Sequence, residues 1–105
     1  MKMIKAFVRP EKETDVIKAL EQAGLYAMTK WDVLGRGRQR GIQVGTQVYD
    51  ELSKLCVMMV VDDAQAPKAV EALLQGAKTG HPGDGRVFVS DVKQAYTIRT
   101  GKSEA

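Results

Sequence analysis

The sequence predicts an α+β sandwich of four main strands and two helices in the order β-α-β-β-α-β. Three observations predict it. Short strand-like stretches, alternating or unbroken in apolar character, fall at residues 3–9, 27–34, 55–61 and 86–92. Two stretches with helical spacing, 11–23 and 67–78, separate the first strand from the second and the third from the fourth. The chain has 105 residues and is 44% apolar, enough for one core and too short for two domains, so residues 1–105 read as a single domain.

The elements follow in order. From Met3 to Arg9, Ile4, Ala6 and Val8 alternate with Lys5, Phe7 and Arg9, the pattern of a half-buried strand. Pro10 lacks an amide hydrogen and ends it. Glu11 to Ala23 carries Val16, Ile17, Leu20 and Ala23 at helical spacing, with Glu11, Glu13 and Asp15 at the end where the helix dipole favours acid. Gly24 is suited to close this helix in the left-handed conformation. Ala27 to Leu34, with Met28, Thr29, Trp31 and Val33, predicts the second strand. Residues 35–53 show neither period and mix glycines with Arg36, Arg38, Gln39, Arg40, Gln43 and Gln47. They predict a long exposed loop between strands two and three, and such loops in small domains are usually functional. Leu55 to Val61 predicts the third strand. Pro67 to Lys78 predicts the second helix, with Val70, Leu73, Leu74 and Ala77 on one face, Pro67 near its start, Asp62-Asp63 as capping acids and Gly80 beyond its end. Arg86 to Val92 predicts the fourth strand, Tyr96 to Arg99 a short extended piece, and 101–105 a tail with a frayed end at Ser103 to Ala105.

This order is the ferredoxin-like split βαβ arrangement, one antiparallel sheet with both helices on one face. The open face of such a sheet normally carries polar residues in alternation. All seven residues of Leu55–Val61 are apolar, so both faces of that strand call for cover, and a second copy of the chain is the simplest cover.

Composition excludes several classes. Sixteen Lys+Arg against thirteen Asp+Glu give a net charge of +3, which permits a small anionic ligand and does not demand nucleic acid. One cysteine forms no internal disulfide and fits a reducing, cytoplasmic setting. The longest apolar run has seven residues against the ~20 that span a bilayer, so no membrane insertion is expected. The first residues, with Lys2, Lys5 and Arg9, lack the apolar core of a secretory signal. His81 is the only histidine, and no second His or Cys lies near it to make a metal site. Cys56 sits inside the apolar strand as a small hydrophobe, and Trp31 reads as packing. No nucleophile–base set can be assembled, so the chain reads as a non-enzyme. An RNA-binding module using Arg36, Arg38 and Arg40 shares the fold class, yet such modules stack bases on exposed sheet aromatics. This chain has only six aromatics, and residues 86–90 lack the characteristic motif.

Two glycine-rich clusters beside arginines remain, Gly35-Arg36-Gly37-Arg38-Gln39-Arg40-Gly41 and Thr79-Gly80-His81-Pro82-Gly83-Asp84-Gly85-Arg86, followed by Arg99-Thr100-Gly101-Lys102. Glycine lets backbone amides approach an anion, and arginine adds a forked cationic donor. Neither cluster is a Walker A or a dinucleotide-binding fingerprint. Together with the opening Met-Lys-x-Ile-Lys-Ala and Arg9-Pro10, the stretches Val33 to Gly41, Thr79 to Val89 and Ile98 to Gly101 resemble the PII signal-transduction proteins of nitrogen metabolism, in register over nearly the whole chain.

The resemblance implies a ferredoxin-like homotrimer, alone or mixed with a paralogue, that binds ATP or ADP in clefts between subunits. It implies 2-oxoglutarate bound beside the nucleotide with Mg2+, and a loop at about 36–53 that docks on a target protein. Position by position, Gly35, Gly37, Arg38 and Gln39 match the nucleotide-and-effector corner, with Gln39 also holding the metal. Gly41 and Lys54 match residues that meet 2-oxoglutarate. Gly83, Asp84, Gly85 and Arg86 match the phosphate-binding turn, Arg86 standing where lysine is usual. Met28 and Thr29 match one wall of the adenine pocket and Val60 the other, while Arg99 matches an arginine that reaches the phosphates across the subunit boundary. Thr97 replaces a second such arginine, and Tyr49 does not align with the tyrosine uridylylated in enteric members. The shortened loop resembles the subgroup encoded in nitrogen-fixation gene clusters, which implies nitrogenase as target. An ammonium transporter or a nitrogen-assimilation enzyme is the alternative target.

Overall fold

A computed structural model of the chain describes residues 1–36 and 52–104, together with the backbone of 42–44 and 47–49. The elements are β1 (Lys2–Val8), a 3-10 turn (Pro10–Lys12), α1 (Glu13–Gln22), β2 (Thr29–Gly35), β3 (Ile42–Val44), β4 (Gln47–Tyr49), β5 (Leu52–Val61), α2 (Ala66–Ala77), β6 (Gly85–Asp91), β7 (Ala95–Tyr96) and β8 (Ser103–Glu104). The main sheet is antiparallel in the order β2-β5-β1-β6, so the first and third predicted strands are central, as the ferredoxin-like arrangement requires.

The alternation read in β1 faces the core as expected. Ile4, Ala6 and Val8 are buried with Leu55, Val57, Met59 and Val61 of β5 under Val16 and Leu20 of α1 and Ala69 and Leu73 of α2. Burying these side chains supplies the main driving force, roughly 1.5–3 kcal/mol for each large one. Helix α1 ends as predicted at Gly24, with φ +81°. The Gly24 amide bonds the Glu21 carbonyl and the Leu25 amide bonds the Leu20 carbonyl, each at 2.9 Å, which satisfies carbonyls that would otherwise be orphaned.

Four expectations change. The long connection expected between strands two and three is there but narrower than 35–53, because β2 runs to Gly35 and β5 starts at Leu52 opposite it, and within it β3 pairs with β4 through Ile42↔Tyr49, Gln43↔Val48 and Val44↔Gln47. Strands of three residues are too short to show a period in sequence. The extended piece expected at 96–99 ends at Tyr96, and Ser103–Glu104 is paired rather than frayed, because the chain turns at 97–102 and closes a hairpin. The Thr97 amide bonds the Lys102 carbonyl at 3.0 Å, and the Gly101 amide bonds the Thr97 carbonyl at 2.7 Å. The Asp63 carboxylate does not cap α2; it accepts from the N-terminal ammonium at 2.7 Å, while the backbone carbonyls of Asp62 and Asp63 take the Gln65 and Ala66 amides. The fourth change concerns the open sheet face. Cys56, although on that face, is fully buried within the chain between its register neighbours Phe7 and Trp31, and burial pushes its thiol pKa up. The exposed apolar surface there is instead Trp31, Val60 and Phe88, each 40–49% accessible.

The two helices meet at Gly76. A Cβ on it would stand 2.9 Å from the Val16 Cα and 3.0 Å from the Asp15 carbonyl oxygen. Alanine is the better helix former by ~1 kcal/mol, so propensity alone favours Gly76→Ala. Backbone atoms at that distance cannot yield without shifting a helix, and overpacking of this kind costs about 1–3 kcal/mol. Gly76→Ala is therefore expected to destabilise the fold, read as a lower urea midpoint at unchanged slope, and a raised midpoint would refute the contact.

Candidate anion-binding site

The site is built where α2 hands the chain back to the sheet. Lys78 leaves the helix in an extended conformation, and Gly80, Gly83 and Gly85 follow with φ of +89°, +97° and +105°. At Gly85 the need for glycine is also steric, because a Cβ would collide with the Phe7 carbonyl oxygen of the adjoining strand. The turn closes on Asp84. Its carboxylate accepts from the Thr79 hydroxyl, from the Thr79 and Gly80 amides at 2.9 Å each, and from Arg9 Nε at 3.1 Å. The Thr79 hydroxyl, then the two amides and the guanidinium, hold this carboxyl well below the usual carboxylate range.

Arg9 joins the site without having been among the residues expected there from sequence. It follows Val8, which pairs with Gly85 on one side and with Leu55 on the other. In antiparallel register Arg9 therefore lies between Asp84 and Lys54. Its Nη2 donates to the Pro82 carbonyl at 2.8 Å, and Lys54 Nζ donates to the Gly83 carbonyl at 2.6 Å. Burial first, and then the neighbouring Arg9 charge, push the Lys54 ammonium below its usual pKa. The signal that would have found Arg9 is strand order, since an arginine just beyond β1 faces an aspartate just before β6 only once those strands are known to be adjacent.

The residues expected from sequence separate into three groups. Gly35, Lys54, Gly83, Asp84, Gly85 and Arg86 share one end of the sheet, and a Cβ on Gly35 would stand 3.4 Å from Lys54 Cγ. Met28, Thr29 and Val60 lie toward the opposite end, where Thr29 pairs with Met58 and Val60 with Met3. Six residues of strand between Lys54 and Val60 amount to roughly 20 Å. Arg99 sits in the turn of the C-terminal hairpin, and among the described residues no hydrogen bond or ion pair joins it to the 83–86 turn. Gly37, Arg38, Gln39 and Gly41 lie outside the described residues, as does the side chain of Tyr49.

Chemically the corner is suited to an anion. Among the described residues the Gly83 and Asp84 amides make no hydrogen bond, while the Pro82 carbonyl, the Gly83 carbonyl and one Asp84 carboxylate oxygen are engaged by Arg9 or Lys54. Arg86 projects on the open face with its guanidinium 5.7 Å from the Phe88 ring centroid, and Phe88 meets Phe7 edge-on at 6.2 Å. Among the described residues no group of His, Cys, Asp and Glu could hold a metal by itself, and no helix is long and apolar enough to cross a membrane.

The family model of Nitrogen regulatory protein P-II matches residues 1–102. A nitrogen fixation nifHD1 region GlnB-like protein 1 of Methanosarcina barkeri is 49% identical over 102 residues, 97% of each chain. A nifHD region glnB-like protein 1 of Methanococcus maripaludis is 50% identical over 100 residues, 95% of each. The nitrogen regulatory protein P-II 2 of Methanothermobacter thermautotrophicus is 44% identical over 110 residues, covering 98% of this chain and 93% of that one. The chain belongs to the P-II family of nitrogen regulatory proteins, and within it resembles the proteins of nitrogen-fixation regions.

The Asp84 carboxyl gives a pH prediction. Its folded pKa is depressed, so its contribution to stability is complete above the unfolded value of ~3.9 and is lost as pH falls through the lower folded value. Wild type is expected to exceed Asp84→Asn in urea midpoint at neutral pH, with the gap narrowing on acidification below about pH 4. A gap independent of pH would show that the carboxylate is not the group held by these donors.

Proposed function

We propose that the chain is a nitrogen-status sensor that binds ATP or ADP at the Gly83–Arg86 turn, binds 2-oxoglutarate beside it, and reports the result to a target protein through the loop 36–53. The observation that carries this reading is the turn itself. Its acceptors are held inward by Arg9 and Lys54, and its Gly83 and Asp84 amides have no partner among the described residues, which suits phosphate oxygens. Arg86 adds charge at the mouth, and Gly35, Gly37, Arg38 and Gln39 complete the nucleotide corner.

Lys54 has three donors and gives one to Gly83, so two remain for a carboxylate of 2-oxoglutarate, with Gly41 contributing its amide. Mg2+ would take the Gln39 amide oxygen and phosphate oxygens, since a hard cation prefers oxygen and the described residues offer no cluster of their own. The chain acts in the cytoplasm and catalyses nothing.

A homotrimer, or a mixed trimer with a paralogue, brings the separated groups together. Val60 lies roughly 20 Å along β5 from Lys54, and Met28 and Thr29 flank the same far end, so these residues serve the turn of a neighbour, as does Arg99. The exposed Trp31, Val60 and Phe88 are the apolar surface such assembly covers. Nitrogenase is the target favoured, because the similar proteins of Methanosarcina barkeri and Methanococcus maripaludis carry nitrogen-fixation-region names. The alignment with the P-II 2 protein runs over 110 positions, more than the 105 residues here, so that protein has insertions this chain lacks. An ammonium transporter or a nitrogen-assimilation enzyme is the alternative target. Family membership over residues 1–102 weighs against the RNA-binding reading, although Trp31 and Phe88 do lie on the open sheet face.

Light scattering is expected to give about three times the 11.5 kDa chain mass. In calorimetry, 2-oxoglutarate should bind only with Mg-ATP present and should tighten ATP by the reciprocal factor. Arg86→Ala should weaken ATP by about 1.5–3 kcal/mol, and Lys54→Ala should remove the 2-oxoglutarate response. A monomer, or equal 2-oxoglutarate binding with and without Mg-ATP, would overturn the reading.

A further inference from the structure

Three consecutive residues of the turn each give an acceptor to a cation beneath it. The Pro82 carbonyl takes Arg9 Nη2 at 2.8 Å, the Gly83 carbonyl takes Lys54 Nζ at 2.6 Å, and the Asp84 carboxylate takes Arg9 Nε at 3.1 Å. Arg9 alone grips twice, bridging residues 82 and 84 across Gly83. A guanidinium can do this because its five donors are fixed in a planar fork; an ammonium is a single point. The fit is close, since a Cβ on Gly83 would stand 3.2 Å from Nη2. Both Arg9 nitrogens in use point into the underside of the turn.

From this we infer that Arg9 is a positioning residue for the anion site, which sets the spacing of Pro82 and Asp84 and thereby the direction of the Gly83 and Asp84 amides. The inference rests on the reading of the turn as a phosphate site. It differs from that reading in assigning Arg9 no contact with the ligand: Arg9 acts through Asp84, and Asp84 acts through the Thr79 and Gly80 amides it holds. Simple field effects of the Arg9 charge would act on the ligand directly and would not depend on Asp84.

The test has two readouts. In the ligand-free protein, amide exchange at Thr79 and Gly80 should quicken about tenfold in Arg9→Met, while Arg9→Lys, which can make one grip but not both, should fall between it and wild type. Unchanged exchange in Arg9→Met overturns the inference whether or not the protein binds nucleotide. In calorimetry with Mg-ATP, Arg9→Met and Asp84→Asn should each weaken binding about tenfold, and the double variant should be no more than about twofold worse than the weaker single one. Additive losses would mean that Arg9 meets the phosphate or acts by charge alone, and would overturn the inference. Failure of wild type to bind Mg-ATP, with exchange still dependent on Arg9, would sink the nucleotide reading and leave the clamp standing. Circular dichroism melts keep every variant well below its own Tm during these measurements, so loss of fold is not mistaken for loss of position.

Discussion

A carboxylate in the middle of a candidate anion site has to be neutralised, and the way Asp84 is neutralised shapes everything around it. Its oxygens take the Thr79 hydroxyl, the Thr79 and Gly80 amides and Arg9 Nε. Those bonds fold residues 79–84 into a closed turn, which forces the chain through positive φ at Gly80 and Gly83. To re-enter the sheet it must pass beside the Phe7 carbonyl at Gly85, again with positive φ. Glycine adopts these conformations without strain, so Gly80 and Gly83 serve the turn that Asp84 closes and Gly85 the passage beside Phe7. Because Asp84 is spent on its own turn and on Arg9, the surplus charge of the corner is cationic, from Lys54 and Arg86.

The fold was legible because its longer elements are periodic. Ile4, Ala6 and Val8 alternate, Val16 and Leu20 repeat at helical spacing, and Gly24 closes α1 as its flexibility predicts. What was not legible is short or non-local. Ile42–Val44 and Gln47–Tyr49 are strands only because they pair with each other, and Ser103–Glu104 is ordered only because Ala95–Tyr96 lies beside it. Asp63 reads as a helix cap by its position before α2, yet the N-terminal ammonium, 62 residues away in sequence, competes for it and wins. An ion pair of that kind has no local signature.

The candidate site was legible in composition and not in arrangement. Glycines beside arginines at 83–86 announce an anion turn, and Lys54 was singled out at the start of β5. That Lys54 already holds the Gly83 carbonyl, and that Arg9 bridges the turn from below, depends on β1 lying between β5 and β6. The family resemblance placed Met28, Thr29 and Val60 at a nucleotide cleft between subunits together with Gly83 and Arg86, and within one chain the sheet puts them at opposite ends of a strand. Which end of an antiparallel strand a residue occupies is set by strand pairing, which has no local signature.

The long loop begins and ends in this corner. Gly35 at the end of β2 pairs with Leu52 at the start of β5, and Lys54, two residues on, reaches the Gly83 carbonyl. The two ends of residues 36–51 are thus tied to each other by the sheet, and one of them is tied to the anion turn by a single ammonium. On the proposed reading, a ligand carboxylate that draws on the remaining Lys54 donors would act on a group already shared between the loop base and the turn. Any difference in its affinity for two positions of Lys54 would then reach the loop without a relay through the core. The position of β5 between β1 and β2 favours this route, because the backbone behind Lys54 is paired on both sides and its side chain is the freer part.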